Sequence, residues 1–328
     1  MAAREFARAE LALRTIPGST EIIEPLVRAV VTVGNFDGIH IGHRSILDTV
    51  VERARARQGE AVVYTFEPHP RKVLHPDQAP GLLTTLDQKL ELLEQAGIDA
   101  VIVEPFSLEF ARTPAEDFIR VSLHEKIRPL EVYVGYDFHF GRDREGSMRL
   151  LTELGPRLGF SVTIIPEVTV DHGDVNSTRI RQLLADAQVE QAREMLGRSY
   201  SVRGIVGKGD QRGRTIGFPT ANLEAENEIL PAPGVYAGEV RFLDGGTPEV
   251  GSRWPAVTNV GVRPTFQKDG RLIAEAHLID FDGDIYGRRV ELSFEHHLRP
   301  EQRFDGVDAL RTQIQADVIE ARQWLESS

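Results

Sequence analysis

The chain of 328 residues contains no cysteine, which excludes disulfide bonds, thiolate zinc sites, iron–sulfur clusters and cysteine nucleophiles. This fits a reducing compartment, and we expect a cytoplasmic protein. Long apolar runs are also missing, because charges interrupt the alanine-rich start and no run reaches the ~18 residues of a membrane helix. Basic residues are a minority, 38 against 50 acidic ones, and a net charge of −12 disfavours nucleic acid and anionic membranes as partners. The expected partners are therefore small molecules, and a polyanionic one must meet a local basic patch.

The length and composition of the chain predict two domains. The length and the 41% of hydrophobic residues are enough for two cores. In the first half, apolar runs alternate with helical patterns, which predicts a parallel sheet covered by helices on both faces, with ligands at the carboxyl ends of the strands. The predicted strands are residues 29–33, 61–66, 100–103, 131–134 and 160–165. The predicted helices include residues 86–96, 114–127 and 148–158, the first two entered through capping-box sequences.

After about residue 197 the pattern changes to strands without helices between them. The predicted strands are residues 201–206, 235–242, 256–260, 273–279 and 289–294, and a final helix covers 306–325. Strands in this number, separated by Asp-Gly turns, predict a closed antiparallel β-barrel with the helix packed on it. We therefore expect an unassigned extension at residues 1–28, an α/β domain at 29–197 and a barrel domain at 198–328.

The strongest local signal is the loop Gly34-Asn35-Phe36-Asp37-Gly38-Ile39-His40-Ile41-Gly42-His43, which follows the first strand and leads into a helix. Glycines let backbone approach a ligand closely, and a helix N-terminus offers amide groups and a positive dipole end to an anion. Two histidines can donate to phosphate oxygens, so the pattern indicates a nucleotide site. Zinc is the alternative for His40 and His43, but it needs a third ligand, and no His-Glu-x-x-His helix is present.

The loop resembles the His-x-Gly-His signature of the nucleotidyltransferase superfamily, whose α/β domains are Rossmann-like and transfer adenylyl groups from ATP to a phosphate. Asn176-Ser177-Thr178-Arg179-Ile180-Arg181 resembles a second motif of one branch, Ser-Ser-Thr-x-x-Arg, with Asn176 in place of the first serine. Simple helix capping is the alternative for Ser177 and Thr178. The resemblance implies that His40, His43 and Arg181 stabilise charge on the triphosphate. It assigns ATP binding to Gly34, Asn35, Phe36, Gly38, His40, Gly42, His43, Ser177, Thr178 and Arg181.

Two further segments at predicted strand ends resemble signatures of the flavin branch of this superfamily. They are residues 64–70, Tyr-Thr-Phe-Glu-Pro-His-Pro, and residues 134–141, Val-Gly-Tyr-Asp-Phe-His-Phe-Gly. The resemblance implies flavin binding by Phe66, Pro68, His69 and Asp137. Taken alone, either segment is equally typical of a loop whose aromatic side chains cover the edge of a sheet.

Residues 203–217 are locally basic and rich in glycine, which is typical of a phosphate cradle, with a solvated hairpin as the alternative. The basic residues are Arg203, Lys208, Arg212 and Arg214. The following Gly217-Phe218-Pro219-Thr220-Ala221-Asn222-Leu223 resembles the Pro-Thr-Ala-Asn motif of riboflavin kinases. That resemblance implies that Thr220 and Asn222 hold the Mg²⁺ of Mg-ATP. It assigns the kinase ATP site to Gly207, Lys208, Gly209, Gly213, Thr220 and Asn222.

The riboflavin kinase resemblance also implies a catalytic base, Glu275. A carboxylate can take the proton of a primary hydroxyl that attacks phosphorus, for a gain of roughly 10²- to 10⁴-fold in rate. Glu275 shares one face of its predicted strand with Ile273 and His277, while Ala274 and Ala276 lie on the other face. Both faces are apolar, so the sequence leaves open which one lines the core, and a buried structural glutamate is the alternative.

Together these resemblances place the chain in the family of prokaryotic bifunctional riboflavin kinases/FMN adenylyltransferases. The implied reactions convert riboflavin and ATP to FMN in the second domain, then FMN and ATP to FAD and pyrophosphate in the first. One rival is a riboflavin kinase with a degenerate first domain, which Asn176 alone favours. The other is a flavin-sensing protein without activity, which would not need magnesium or base residues.

Overall fold

The structure is a computed structural model that describes residues 12–170, 173–208, 217–262 and 272–327. Its contacts divide the chain into two compact units. The first contains the residues up to Pro80 together with Leu86–Val175. The second contains Gly81–Thr85 together with the residues from Asn176 onward. Across the described ranges, no helix has the length and apolar character needed to cross a membrane.

The first unit is built on a six-stranded, all-parallel sheet with the strand order β1-β4-β3-β2-β5-β6. Its strands are β1 Arg14–Ile16, β2 Val30–Val33, β3 Ala61–Glu67, β4 Ala100–Pro105, β5 Glu131–Gly135 and β6 Ser161–Ile165. A small hairpin follows, formed by β7 Thr169–Val170 and β8 Gly173–Asp174. The helices are α1 Ile41–Arg57, α2 Pro70–Leu74, α3 Leu86–Gln95, α4 Ala115–Asp117 and α5 Met148–Arg157.

Successive strand residues point to opposite faces of this sheet, and each face has its own apolar core. Val30 packs with Leu47 and Val50 of α1 on one face, whereas Val31 packs with Ile119 and Leu123 on the other. All six of these side chains are fully buried. This confirms the predicted Rossmann-like parallel sheet with helices on both faces.

The helix predicted at residues 114–127 is present, but its form differs from the expectation. After the short α4 it continues as a π-helix, Phe118–Ile127. The capping box predicted at its start does not form, because the helix has no side-chain cap at Pro114. Instead the Glu145 carboxylate accepts the Ala115 N–H at 3.0 Å. The cap thus comes from thirty residues downstream, where a local sequence pattern does not reach.

The extension at residues 1–28, which the sequence left unassigned, contributes the edge strand β1. It pairs in parallel with β4, Arg14 opposite Ala100. Just after it, the Ser19 N–H donates to the buried Glu104 carboxylate at 2.8 Å, and the Tyr64 hydroxyl donates to the same oxygen at 2.7 Å. The carboxylate therefore ties the chain after β1 to the centre of the sheet.

The second unit contains a closed antiparallel barrel. Six strands pair in the ring β12-β13-β10-β9-β14-β11, the pairing of β11 with β12 closes it, and β15 adds to β11. The strands are β9 Tyr200–Gly207, β10 Ala221–Ala225, β11 Gly234–Phe242, β12 Arg253–Val262, β13 Leu272–Leu278, β14 Arg289–Phe294 and β15 His296–Arg299. The helices are α6 Ser177–Ala185, α7 Val189–Leu196 and α8 Val307–Ser327.

The barrel and its C-terminal helix confirm the predicted architecture. In α8 the fully buried Ala321 packs against Val235, Ala237, Val257 and Ile279 on the outer face of the barrel. Sequence analysis missed β10 and β15, since both are short, and β10 coincides with a motif that had been assigned to ligand binding.

Candidate active sites

The first candidate site is the loop between β2 and α1. The Gly34 N–H donates to the Tyr64 carbonyl at 3.1 Å, so the loop starts from the carboxyl edge of the sheet. Phe36 and Ile39 adopt positive φ angles of 50° and 38°, which cost about 1–2 kcal/mol each for residues with a Cβ. Both side chains are buried in the core beneath α1, and this packing holds the backbone in its strained shape. The loop geometry is thus fixed before any ligand arrives.

His40 is the N-cap of α1. Its Nδ1 accepts the His43 N–H at 3.2 Å, so the proton of the neutral imidazole lies on Nε2. Gly42 makes room for this ring, because a Cβ there would lie 3.1 Å from Nδ1. The His43 ring stacks on that of His40, with centroids 3.7 Å apart. The His-x-Gly-His spacing therefore builds a capped helix start with two parallel imidazoles.

The imidazole of His43 has a depressed pKa. Burial lowers the pKa of its imidazole well below the usual range, and repulsion from a charged His40 or Lys89 lowers it further. Its Nδ1 is buried and has no hydrogen-bond partner among the described residues. The lowered pKa favours the neutral imidazole, so a contribution of His43 to charge stabilisation on the triphosphate would come from hydrogen bonding.

Lys89 is the residue at this site that sequence analysis missed. It lies in the first turn of α3 with only 5% of its surface exposed. Burial lowers the pKa of its ammonium group, while the carboxylates of Asp37 and Glu67 act in the opposite direction. In sequence it looks like a solvated charge on an amphipathic helix, although its spacing to Leu93 places it on the apolar face.

The proposed flavin residues occupy several settings at the strand ends. Phe66, near the end of β3, packs against Phe106 and Phe110 with ring centroids 5.9 and 6.1 Å apart. Pro68 follows β3, and His69 is buried and caps α2 by accepting the Arg71 N–H at 3.2 Å. Asp137 is exposed, and its backbone carbonyl accepts from His139 Nδ1 at 2.8 Å.

The second triphosphate motif begins α6. Asn176 is the N-cap, and its Oδ1 accepts the Arg179 N–H at 2.9 Å. Asn176, which stands where the related motif has serine, therefore serves as an N-cap. Ser177 and Thr178 lie inside the first turn rather than at the cap, which removes the capping alternative for them. Arg181 donates from Nε to the Gly81 carbonyl at 2.7 Å.

The second candidate site is a row of residues across adjacent barrel strands. Asn222 of β10 is opposite Gly207 of β9 on one side and Glu275 of β13 on the other. Glu275 is in turn opposite Asn259 of β12. Side chains directly opposite one another point to the same face, with Cβ atoms ~4.5–5.5 Å apart. The barrel thus brings together Gly207, Asn222 and Glu275, which the sequence singled out separately.

The register also settles which face of β13 is internal. Ala274, Ala276 and Leu278 are buried in the barrel, whereas Glu275 and His277 lie half-buried on the outer face. The Pro219 carbonyl accepts from His277 Nδ1 at 2.9 Å. This bond holds the residue before Thr220 beside the strand that carries Glu275.

Asn259 was not identified as a site residue from the sequence. Its Nδ2 donates to Glu301 Oε1 at 3.3 Å. A Cβ at Gly261 would overlap the Glu301 carboxylate and lie 3.3 Å from the Asn259 amide nitrogen. Only glycine therefore lets Glu301 and Asn259 meet here. A sequence signal is nonetheless present, because the segment Thr258-Asn259-Val260-Gly261 resembles part of the riboflavin kinase domain.

The basic cradle predicted at 203–217 is only partly described. Arg203 is buried, and its Nε donates to the Glu291 carboxylate at 2.7 Å. It belongs to the barrel wall, so its inclusion in the cradle is wrong. Lys208 is exposed, next to Gly207. The remaining members lie outside the described residues: Gly209, Arg212, Gly213 and Arg214.

Comparisons with known proteins agree on the family. The sequence model of the FAD synthetase family matches residues 23–179, and that of riboflavin kinase matches residues 196–325. A bifunctional riboflavin kinase/FMN adenylyltransferase from Escherichia coli K12 is 39% identical over 300 residues, which is 92% of this chain and 94% of the relative. The protein of the same description from Bacillus subtilis is 33% identical and covers 93% of this chain and 95% of its own length.

A solved structure matches along nearly the whole chain. It is a crystal structure from Streptococcus pneumoniae described as a macrolide-efflux protein, with a TM-score of 0.84 and 31% sequence identity. The match covers 95% of this chain and 99% of that one. With both family models matched in order and relatives aligned along almost their full length, the chain belongs to the family of bifunctional riboflavin kinases/FMN adenylyltransferases.

Proposed function

We propose that this chain phosphorylates riboflavin to FMN in a kinase domain, residues 198–328, and converts FMN to FAD in an adenylyltransferase domain, residues 29–197. The observation that carries the proposal is that both family models match in one chain, in order and without overlap. ATP is the second substrate of both steps. The substrates are small soluble molecules and the chain has no cysteine for disulfides, so we place the reactions in the cytoplasm.

In the kinase step the primary hydroxyl of riboflavin attacks the γ-phosphorus of ATP, and ADP leaves. Glu275 takes the hydroxyl proton, since it is a half-buried carboxylate on the outer face of β13. Its place opposite Asn222 and Asn259 puts the base in the same row as the proposed phosphate-binding groups. Gly207 and Lys208 border this row and would contact the phosphates.

Thr220 and Asn222 fit a magnesium ion that is shared with a nucleotide. Their hydroxyl and amide oxygens are hard, uncharged ligands, which suit Mg²⁺ when phosphates complete its shell. Among the described residues, no cluster of three or more His, Cys, Asp or Glu side chains could hold a metal. When bound, the ion would neutralise charge on the transferred phosphoryl group.

In the adenylyltransferase step a phosphate oxygen of FMN attacks the α-phosphorus of ATP, and pyrophosphate leaves. The nucleophile is already ionised, so the protein needs to supply only orientation and charge stabilisation. His40 donates from Nε2, the N–H groups of Ile41 and Gly42 at the start of α1 would face the phosphates, and Arg181 contributes a guanidinium. Phe66 offers an aromatic face to the flavin ring, and Pro68, His69 and Asp137 surround the same strand ends.

The test separates the two activities in one protein. Glu275→Gln should abolish FMN formation from riboflavin, while FAD still forms from supplied FMN at the wild-type rate. The assay contains protein, riboflavin or FMN, ATP and Mg²⁺, with the flavins resolved by chromatography. Equal loss of both activities in Glu275→Gln would refute the division of labour.

The wild-type protein provides the controls for the alternatives. FMN without FAD would leave a riboflavin kinase with an inactive first domain. No product from either flavin would rule out the enzyme.

A further inference from the structure

Gly81–Thr85 is a segment that follows α2 and precedes α3 in sequence, but its contacts group it with the second unit. We propose that Asn227 and Glu228, which lie within the riboflavin kinase part of the chain, are positioning residues for FMN adenylylation. They hold this segment, and its Gly81 carbonyl orients Arg181. The inference rests on the proposed function of Arg181 in binding the triphosphate of ATP.

Arg181 forms a hydrogen bond with Gly81. Arg181 Nε donates to the Gly81 carbonyl at 2.7 Å, a short, charge-assisted hydrogen bond. Because a guanidinium is planar, a bond at Nε fixes the plane in which both terminal nitrogens lie. The direction in which Arg181 presents its remaining N–H groups therefore depends on where the Gly81 carbonyl is held.

Residues 227–229 hold the segment Gly81–Thr85. The Leu82 N–H donates to Glu228 Oε2 at 3.0 Å, and Asn227 Nδ2 donates to the Leu83 carbonyl at 3.3 Å. Leu83 is fully buried, and a Cβ at Gly81 would lie 3.0 Å from Ile229 Cγ1. Consecutive backbone groups of the segment are thus fixed by the consecutive residues 227–229.

Residues 227–229 are themselves anchored to the barrel. The Asn227 side chain is buried, and its Oδ1 accepts the Arg203 N–H of β9 at 2.8 Å. The Tyr200 hydroxyl, also on β9, donates to the Ile229 carbonyl at 2.9 Å. A continuous series of contacts therefore runs from a barrel strand through Asn227 and Glu228 to the guanidinium of Arg181.

The experiment compares three variants of the full-length protein. Glu228→Ala removes the acceptor for Leu82, and kcat for FAD formation from FMN should fall about three- to tenfold, since small displacements of a binding group are costly. Glu228→Gln keeps an acceptor and should restore the rate. Glu226→Ala is the matched control, because it removes the same charge two positions away, from an exposed side chain that pairs with Arg289. FMN formation from riboflavin should stay unchanged in all three.

Arg181→Gln tells failure of the inference from failure of the proposed function. Glu228→Ala should add nothing to the loss seen in Arg181→Gln, because its effect acts through Arg181. If Arg181→Gln leaves FAD formation intact, the proposed role of Arg181 is wrong. If Arg181→Gln is impaired but Glu228→Ala is not, or if Glu226→Ala or FMN formation falls equally, the positioning role is overturned.

Discussion

At the scale of single residues, the imidazole of His40 does two things at once. Its Nδ1 caps α1, and its Nε2 carries the proton that the proposed mechanism donates to phosphate. His40→Asn separates the two, since asparagine is a good N-cap but lacks the Nε2 donor. We expect kcat for FAD formation to fall about 10²- to 10³-fold, as on loss of one donor to a developing charge, with an unchanged unfolding midpoint.

His40→Ala is the companion variant for this prediction. It loses the cap as well, and the free energy of unfolding should drop by about 1 kcal/mol. Thermal unfolding and FAD assays on both variants measure the two roles. Wild-type activity in His40→Asn would mean that the Nε2 proton is not used, and FMN formation from riboflavin is the internal control.

The sequence was sufficient for those site residues whose local context is specific. Glycines and histidines at a strand end that leads into a helix predict an anion site, and the structure places His40 at that helix start. Lys89 and Asn259 could not be found in this way, because each acquires meaning only from its neighbours in space. Arg203 shows the same limit, since its partner Glu291 is 88 positions away in sequence.

At the scale of elements, one carboxylate links α1 to the sheet. Glu131, the first residue of β5, is 3% exposed and accepts from Arg53 at 2.9 and 3.0 Å, and from Arg57 and Tyr133. The hydrogen bond from Arg53, helped by those from Tyr133 and Arg57, lowers the pKa of Glu131 to about 2. The folded protein therefore favours the ionised form much more than the unfolded chain does.

Ionised Glu131 therefore stabilises the folded protein more at high pH than at low pH. The stabilisation is fully present above the unfolded pKa of 4.5 and is lost as pH falls from there towards 2. Glu131→Gln should lower the free energy of unfolding by about 2 kcal/mol at pH 7 and flatten its pH dependence below 4.5.

Denaturant unfolding at several pH values measures both effects. Glu153→Gln is the control, because its pair with Arg149 is exposed and contributes little. A similar loss of stability in the two variants would contradict a special role for Glu131.

Helices and strands were predictable where their hydrophobic periodicity extends over many residues. Strands β2 to β6 of the parallel sheet were predicted within a few residues, and so was the fold class, whereas the edge strand β1 was not predicted. The π-helical form of Phe118–Ile127 was not, because no local pattern distinguishes it from an α-helix. β10 was missed for a different reason, since it has only five residues and overlaps the motif that resembles a ligand-binding sequence, although Ala221 and Leu223 alternate into the barrel core.

At the scale of the whole molecule, the two units do not correspond one to one with the two activities. α6, which carries Arg181, belongs to the unit that contains the barrel. Unfolding of the second unit should therefore abolish both activities, whereas unfolding of the first should abolish only FAD formation. Leu123→Ala and Phe294→Ala each empty a fully buried position, one per unit, at a cost of about 2–5 kcal/mol.

Residual FMN- and FAD-forming activity after brief heating tests this prediction. Leu123→Ala should lower the inactivation temperature of FAD formation by several degrees and leave that of FMN formation unchanged. Phe294→Ala should lower both. An equal shift of both activities in Leu123→Ala would show that the chain unfolds as a single cooperative unit.

The short β1 has a consequence for how the protein stays dispersed. An open sheet edge offers unpaired backbone groups to any other strand, and β4, with the buried Val101 and Ile102, would present such an edge if nothing covered it. β1 occupies that position with only three residues, and the Glu104 bonds to Ser19 and Tyr64 fasten the chain that follows it. These few residues thus cover the edge of the adenylyltransferase sheet against strand addition by another chain.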